Sequence, residues 1–252
     1  MLSKFKKRCN TYAARFRGAL NFNILFRGTT RFQSPAKIQG KELCLPSDQK
    51  GIHLDFIDVI LDDDYGVKCF DNPKLVVDVG GNAGLFSIWV ALNWPQSEIK
   101  SYEPDPQIFS FLQQNSKAFG FQANNAGVGK SSGRAELLLN NESRLNTMDF
   151  SGSPSRDSCT SVSVKILSLT EILGENKYID VLKLDCEGSE WEIFEDVSVF
   201  KKVKKIVMEY HLIEDKSLSQ LMEVTGALGF RCVHLSKNEG FGIAWFERAL
   251  TL

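Results

Sequence analysis

The residues best suited to chemistry begin with Asp78-Val79-Gly80-Gly81-Asn82-Ala83-Gly84, which follows the apolar run 74–80. An acid followed by glycines four apart makes a turn in which backbone can approach a ligand before a helix begins. Counted from Gly80, a dinucleotide fingerprint would need glycine at 82 and 85, where Asn82 and Leu85 stand, so nicotinamide dinucleotides are disfavoured. Glu103 ends the next apolar segment and is followed by Pro104-Asp105-Pro106. A carboxylate there can accept hydrogen bonds from both hydroxyls of a ribose. Each signal alone is weak, since glycines and exposed acids end strands for structural reasons; together they place a nucleoside across the two strand ends. A second group lies further along. Lys183, Asp185 and Glu187 alternate on one strand, and Glu209 and His211 on another.

These residues need a frame, and the apolar pattern supplies one. The continuous apolar run at 74–80 reads as a strand buried on both faces, and 98–103, 180–187 and 204–211 read as further strands of the same sheet. Helical spacing separates them at 85–93, 106–119, 189–196 and 217–228, with a short helix at 169–173. Residues 121–128 read as a weaker third strand, and 134–139 and 162–167 as extra strands bracketing a polar stretch. Alternating strands and helices specify an α/β fold: a Rossmann-like, mostly parallel sheet with helices on both faces. Residues 230–235 and 241–248 form a hairpin around 236–240, so the sheet acquires one terminal antiparallel strand. In such a sheet, ligands bind beyond the carboxyl ends of the strands.

The chain of 252 residues has a formal net charge of −1, which conceals an asymmetry. Residues 1–41 carry ten lysines and arginines and no acid; the remainder carries twenty against thirty-one acids. The organisation expected is a basic amphipathic arm (1–41), a lead-in segment (42–70) and the α/β domain (71–252). Three readings of the arm compete: a packed surface helix, contact with an anionic membrane surface, and a transit peptide. No apolar run of signal-peptide type follows its first charges, and no stretch reaches membrane-spanning length. Six scattered cysteines without a Cys-x-x-Cys pair read as reduced thiols, several buried, which fits a cytoplasmic protein. The triplet Asp62–Asp64 reads as a solvated turn, and 151–163 as a polar loop.

Residues 76–87 (VVDVGGNAGLFS), 102–106 (YEPDP), 126–130 (AGVGK) and 183–195 (KLDCEGSEWEIFE) resemble the FkbM-type S-adenosylmethionine-dependent methyltransferases. The likeness runs from about residue 75 to 211. It implies a class I methyltransferase sheet, S-adenosylmethionine as cofactor, and transfer to an oxygen of a saccharide, glycolipid precursor or secondary metabolite. Carried over by position, Asp78, Gly80, Gly81, Asn82, Gly84 and Asp185 belong to the cofactor pocket, with Glu103 the ribose acid. Asp105 stands at the pocket edge or in a solvated turn, and 124–128 falls where the adenine would be covered.

Methyl transfer from a sulfonium is an in-line displacement, so the protein must orient an acceptor and remove its proton. Asp185, Glu187 and His211 are the candidates, with His211 the base because imidazole can be neutral near pH 7. Against this, Lys183 can pair structurally with Asp185 or Glu209, and His211 can be a cap or a satisfied core histidine, as is expected of His53 and His234. No metal is predicted, although the same three side chains would suit a divalent cation. The partner expected is a small-molecule or glycan hydroxyl, drawn in by 140–160 (Arg144, Arg156), the arm and 62–66. The alternatives are an RNA methyltransferase using the arm, which the acidic body disfavours, and a non-catalytic cofactor-binding module.

Overall fold

The apolar run ending in Gly80 forms the middle of a seven-stranded sheet, and its five strand residues are all buried. The computed structural model describes residues 36–46, 52–139, 147–149, 160–174, 177–213, 216–238 and 240–249. Most of the basic arm, Arg144, Arg156, Cys9, Cys159, the His53 side chain and most of the polar loop lie outside the described residues.

In chain order the elements are β1 (Ala36–Ile38), β2 (Lys41–Leu43), α1 (Ile52–Phe56) continuing into a π-helical turn (Ile57–Leu61), a 3-10 turn (Val67–Cys69), β3 (Leu75–Val79), α2 (Leu85–Asn93), β4 (Glu98–Tyr102), α3 (Pro106–Phe119), β5 (Gln122–Asn124), β6 (Gly127–Gly129), β7 (Gly133–Leu139), β8 (Thr147–Asp149), β9 (Thr160–Ser168), α4 (Leu169–Leu173), β10 (Ile179–Leu184), α5 (Glu190–Ile193), α6 (Val197–Phe200), β11 (Val203–His211), α7 (Leu218–Ala227), β12 (Phe230–Leu235) and β13 (Phe241–Arg248).

The main sheet has the order β12-β13-β11-β10-β3-β4-β5. Strands β5, β4, β3, β10 and β11 are mutually parallel, and β13 runs antiparallel to both neighbours. The reversed strand is thus last in sequence but sits one strand in from the edge. Strand alternation divides the core between two faces. Leu75, Val77, Ile206 and Met208 pack on one side with α4, α6 and α7. Val76, Val181 and Val207 pack on the other with α1, its π-helical turn and α2. Residues 52–70 therefore contribute Ile52, Phe56, Ile60, Tyr65 and Val67 to the core on this second face.

Four expectations change. The single strand read over 121–128 is two: β5 stays in the main sheet, while β6 leaves it to pair with β9. β7 joins β9 and β8 in this second, four-stranded sheet, which has its own small core of Ala135, Leu137, Val164 and Ile166. The helix read over 189–196 closes after one turn at Ile193, and α6 follows separately. The acidic triplet is not a solvated turn. Asp63, with φ +58°, accepts hydrogen bonds from Trp89 Nε1 at 2.7 Å and from the amides of Val67 and Lys68. Among the described cysteines, Cys69 and Cys232 are exposed and Cys44 and Cys186 half-buried, fewer buried thiols than expected. No helix among the described residues is long and apolar enough to cross a membrane.

Candidate active site

The carboxyl ends of β3, β4, β10 and β11 converge on one pocket, walled by Gly80, Gly81, Asn82, Glu103, Asp185 and Glu187 among others. The glycine turn that begins it is dictated by close approach. Gly80 has φ +75°, and a Cβ there would overlap the carbonyl oxygen of Asp185 on the neighbouring strand. The amides of Gly80 and Gly81 both donate to Tyr102 O, at 3.1 and 2.8 Å, so the turn is tied to the end of β4. Gly84, at φ +90°, starts α2 against Leu112, a turning role behind the pocket. Asn82 occupies the left-handed region, and its Oδ1 is enclosed without a hydrogen-bond partner.

Glu103 is 8% exposed and lines the pocket. Its Oε2 accepts from the Asn82 amide and its Oε1 from the Asp105 amide, each at 2.9 Å. Each carboxylate oxygen has two acceptor positions, so one on each remains for a ligand hydroxyl. Burial pushes this carboxyl up to about 7, against the pull of the two amides. Asp105 is buried as the N-cap of α3, with Oδ1 accepting from Gln107 N at 2.8 Å. It is neither a pocket edge nor a solvated turn. Within 124–128, Asn125 donates to Glu103 O and Pro104 O, and Gly127 and Val128 form pocket wall. The set expected to hold S-adenosylmethionine fits that group: a glycine turn whose backbone a Cβ would obstruct and an acid with open acceptor positions line one cavity.

Asp78 is brought to the site but not to its surface. It is fully enclosed, with Oδ2 accepting from Ser87 Oγ at 2.7 Å and Ser101 Oγ at 2.9 Å. Its Oδ1 lies 3.1 Å from Lys183 Nζ. Lys183, also buried, donates to Gly80 O at 2.6 Å and pairs with Asp185 Oδ2 at 3.4 Å. Burial opposes its charge, but Asp78 and Asp185 outweigh that and hold it protonated above the ordinary lysine range. Lys183 pairs structurally with Asp185, as one reading of the sequence had it, and reaches Asp78 as well.

His211, the last residue of β11, sits among acids. Its Nδ1 lies 3.1 Å from Glu190 Oε1, and its Nε2 lies 3.3 Å from Glu187 Oε2 and 3.9 Å from Glu209 Oε1. Burial lowers the imidazole's proton affinity, but the Glu190 hydrogen bond and the charges of Glu190, Glu187 and Asp185 raise it to about 9. These carboxylates favour the protonated ring, which runs against a neutral base. His234 is an exposed residue stacked on Trp245 at 4.2 Å, not a core histidine.

Several site residues were not singled out from the sequence. Tyr65 lines the pocket and its hydroxyl donates to Asp185 Oδ2 at 2.8 Å. Glu190, 1% exposed, orients His211. Asp55, Asp58 and Phe241 complete the walls from α1, its π-helical turn and the terminal hairpin. The Glu-x-x-Glu spacing of 187 and 190 was a local signal for the second; Tyr65 and Phe241 arrive only through tertiary packing.

Comparison with known proteins identifies relatives of the chain. "Methyltransferase 1" of Beauveria bassiana (strain ARSEF 2860) is 28% identical over 165 residues, covering 56% of this chain and 66% of that protein, just under two thirds of its length. Methyltransferase sdnD of Sordaria araneosa is 24% identical over 186 residues, covering 60% of this chain and 72% of its own. Among solved structures, an O-methyltransferase family protein from Burkholderia thailandensis superposes with a TM-score of 0.47 at 12% identity, over 79% of this chain and 57% of that one. The family model for the methyltransferase FkbM domain matches residues 78–232, which run from the buried acid of the glycine turn through both acidic strand ends. With that span covering more than half its length, the chain belongs to the FkbM methyltransferase domain family, whose fold is that of the S-adenosylmethionine-dependent methyltransferases.

Proposed function

We propose that this protein is an S-adenosylmethionine-dependent methyltransferase acting on a hydroxyl of a saccharide, glycolipid precursor or secondary metabolite. The observation that carries the reading is one pocket in which a ribose-type acid, Glu103, and the acidic pair Asp185 and Glu187 face a common space. The cofactor, when bound, supplies an electrophilic methyl group on a sulfonium. Glu103 and Asn82 hold it from the β3–β4 side. Asp185 and Glu187 accept the hydrogen of the acceptor hydroxyl, and the His211 cation fixes Glu187 in place. Asp55, Asp58, Asp64 and Glu209 add further carboxylates to the pocket wall. Such a lining favours a neutral polyol over a phosphorylated acceptor and weighs against RNA, whose phosphates need cationic surface.

Calorimetric titration of S-adenosylmethionine, its demethylated product and NAD into the wild type and Glu103→Ala tests this reading. Micromolar binding of the first two, lost in the variant and absent for NAD, is expected. Folded wild-type protein that binds neither, or that prefers NAD, overturns it.

A further inference from the structure

Three side chains at the acid-rich end of the pocket offer ligand atoms to a single point. A carboxylate oxygen of Asp185, one of Glu187 and a ring nitrogen of His211 lie within 4.8 Å of one another. Asp185 directly follows β10 and His211 ends β11, and the two strands are paired in parallel register. The sheet therefore fixes the spacing of two of the three.

A second observation points to the same place. Glu190 is almost fully enclosed, and its Oε1 lies 3.1 Å from His211 Nδ1 while accepting from the Cys186 amide at 3.2 Å. Its other oxygen, Oε2, is buried without a hydrogen-bond partner. A buried carboxylate on one ring nitrogen fixes the imidazole's orientation and presents the other nitrogen outward, the arrangement that supports histidine as a metal ligand. Here the outward nitrogen is Nε2, which faces Glu187 at 3.3 Å and Glu209 at 3.9 Å. Four carboxylates surround this one imidazole, and a divalent cation replacing the proton on Nε2 would add a further positive charge among them. Lys183 meets part of the carboxylates' charge, but it is shared with the enclosed Asp78.

We propose that Asp185, Glu187 and His211 Nε2 bind a divalent cation of the Mg2+ or Mn2+ class at the acceptor end of the pocket. Two carboxylate oxygens and one imidazole form a hard, oxygen-rich set that leaves positions open on the pocket side. With the ion bound, Asp185 and Glu187 serve as its ligands in place of accepting the hydroxyl's hydrogen; an acceptor hydroxyl, or a vicinal pair, fills the open positions, and the ion lowers the hydroxyl's pKa so that its proton leaves to water. Ligation replaces the hydrogen on Nε2 and releases it. This role rests on the methyltransferase reading; the ion site itself does not.

Mn2+ binding to the full chain, followed by loss of the free-ion paramagnetic resonance signal without cofactor or acceptor, tests the proposal. One site per chain is expected. Its affinity should fall at least about tenfold in Glu187→Gln and His211→Ala, and about 10- to 100-fold in Glu190→Gln, which touches the ring and the Cys186 amide and offers the ion no ligand atom. Calorimetric S-adenosylmethionine binding by each variant serves as the fold control and reports separately on the methyltransferase reading. Variants that keep cofactor binding but lose Mn2+ support the site. Wild-type protein that binds cofactor but not millimolar Mn2+, or Mn2+ binding that survives both ligand variants, overturns it. Mn2+ binding without cofactor binding would leave the metal site standing and remove the function proposed for it.

Discussion

Glu103 is asked to do two opposed things, and Glu103→Gln separates them. Burial raises its carboxyl from 4.5 to about 7, so between those values the folded protein keeps a proton that the unfolded chain has released. Folded value above unfolded value means that this group's contribution to stability falls as pH rises through that window. The displacement corresponds to about 3 kcal/mol. Glutamine removes the titration. It keeps one acceptor oxygen but turns its NH2 toward either the Asn82 or the Asp105 amide, a pH-independent cost of about 1–3 kcal/mol. Whatever that offset, the unfolding free energy of the variant relative to wild type should improve by about 3 kcal/mol between pH 4.5 and pH 8, read from urea titrations at fixed ionic strength. Cofactor binding should show the opposite preference, because ribose hydroxyls donate to the charged form. Wild-type affinity for S-adenosylmethionine should then weaken toward about tenfold per pH unit below 7, while the variant binds weakly at every pH. Parallel stability curves would refute the raised carboxyl, and a pH-independent wild-type affinity would refute its contact with the ribose.

Gly80→Ala places a Cβ on the Asp185 carbonyl and an alanine at φ +75°, so it should cost more than about 3 kcal/mol in urea unfolding. Gly133→Ala, with open space around the new carbon, should stay within about 1 kcal/mol under the same titration. Lys183→Met leaves the fully enclosed Asp78 without its ion-pair partner and should cost about 3–5 kcal/mol by urea unfolding. Adding Asp78→Asn to that variant should recover part of the loss, and a double variant no better than the single would refute the pairing.

What the sequence made legible follows from the range of the signals. The continuous apolar run and glycine stop identified β3, because a strand buried on both faces needs no partner information to be recognised, and the alternation of strand and helix carried the other three central strands. The break between β5 and β6 falls at the polar pair Asn124-Asn125, and only the second sheet gives β6 a reason to leave. The short helix at Glu190–Ile193 was overread because its acids extend the helical pattern, while the burial of Glu190 against His211 is decided by β11. Distant contacts account for the site as well. Glu103 and Gly80 carry their meaning in local order, whereas Tyr65 reaches Asp185 across 120 positions of chain. The proton affinity of His211 could not be read from residue type, since it depends on three carboxylates from a neighbouring strand end and helix.

Lys183 explains why the two halves of the pocket have to be considered together. Its ammonium donates to the carbonyl of Gly80, pairs with Asp78 beneath the turn and reaches Asp185 on the acceptor side. The glycine turn and the Asp185 carboxylate are thus fixed to one buried charge. Under the proposed function the first meets the cofactor and the second the acceptor, so a side chain with no exposed role would set the distance between donor and acceptor, which an in-line transfer requires the protein to control. The Tyr65 hydroxyl on the same Asp185 oxygen acts with it, clamping the carboxylate from the segment that precedes the family's matched span. Residues 52–70 are therefore required by the site, although the motif that identifies the family begins only at Asp78.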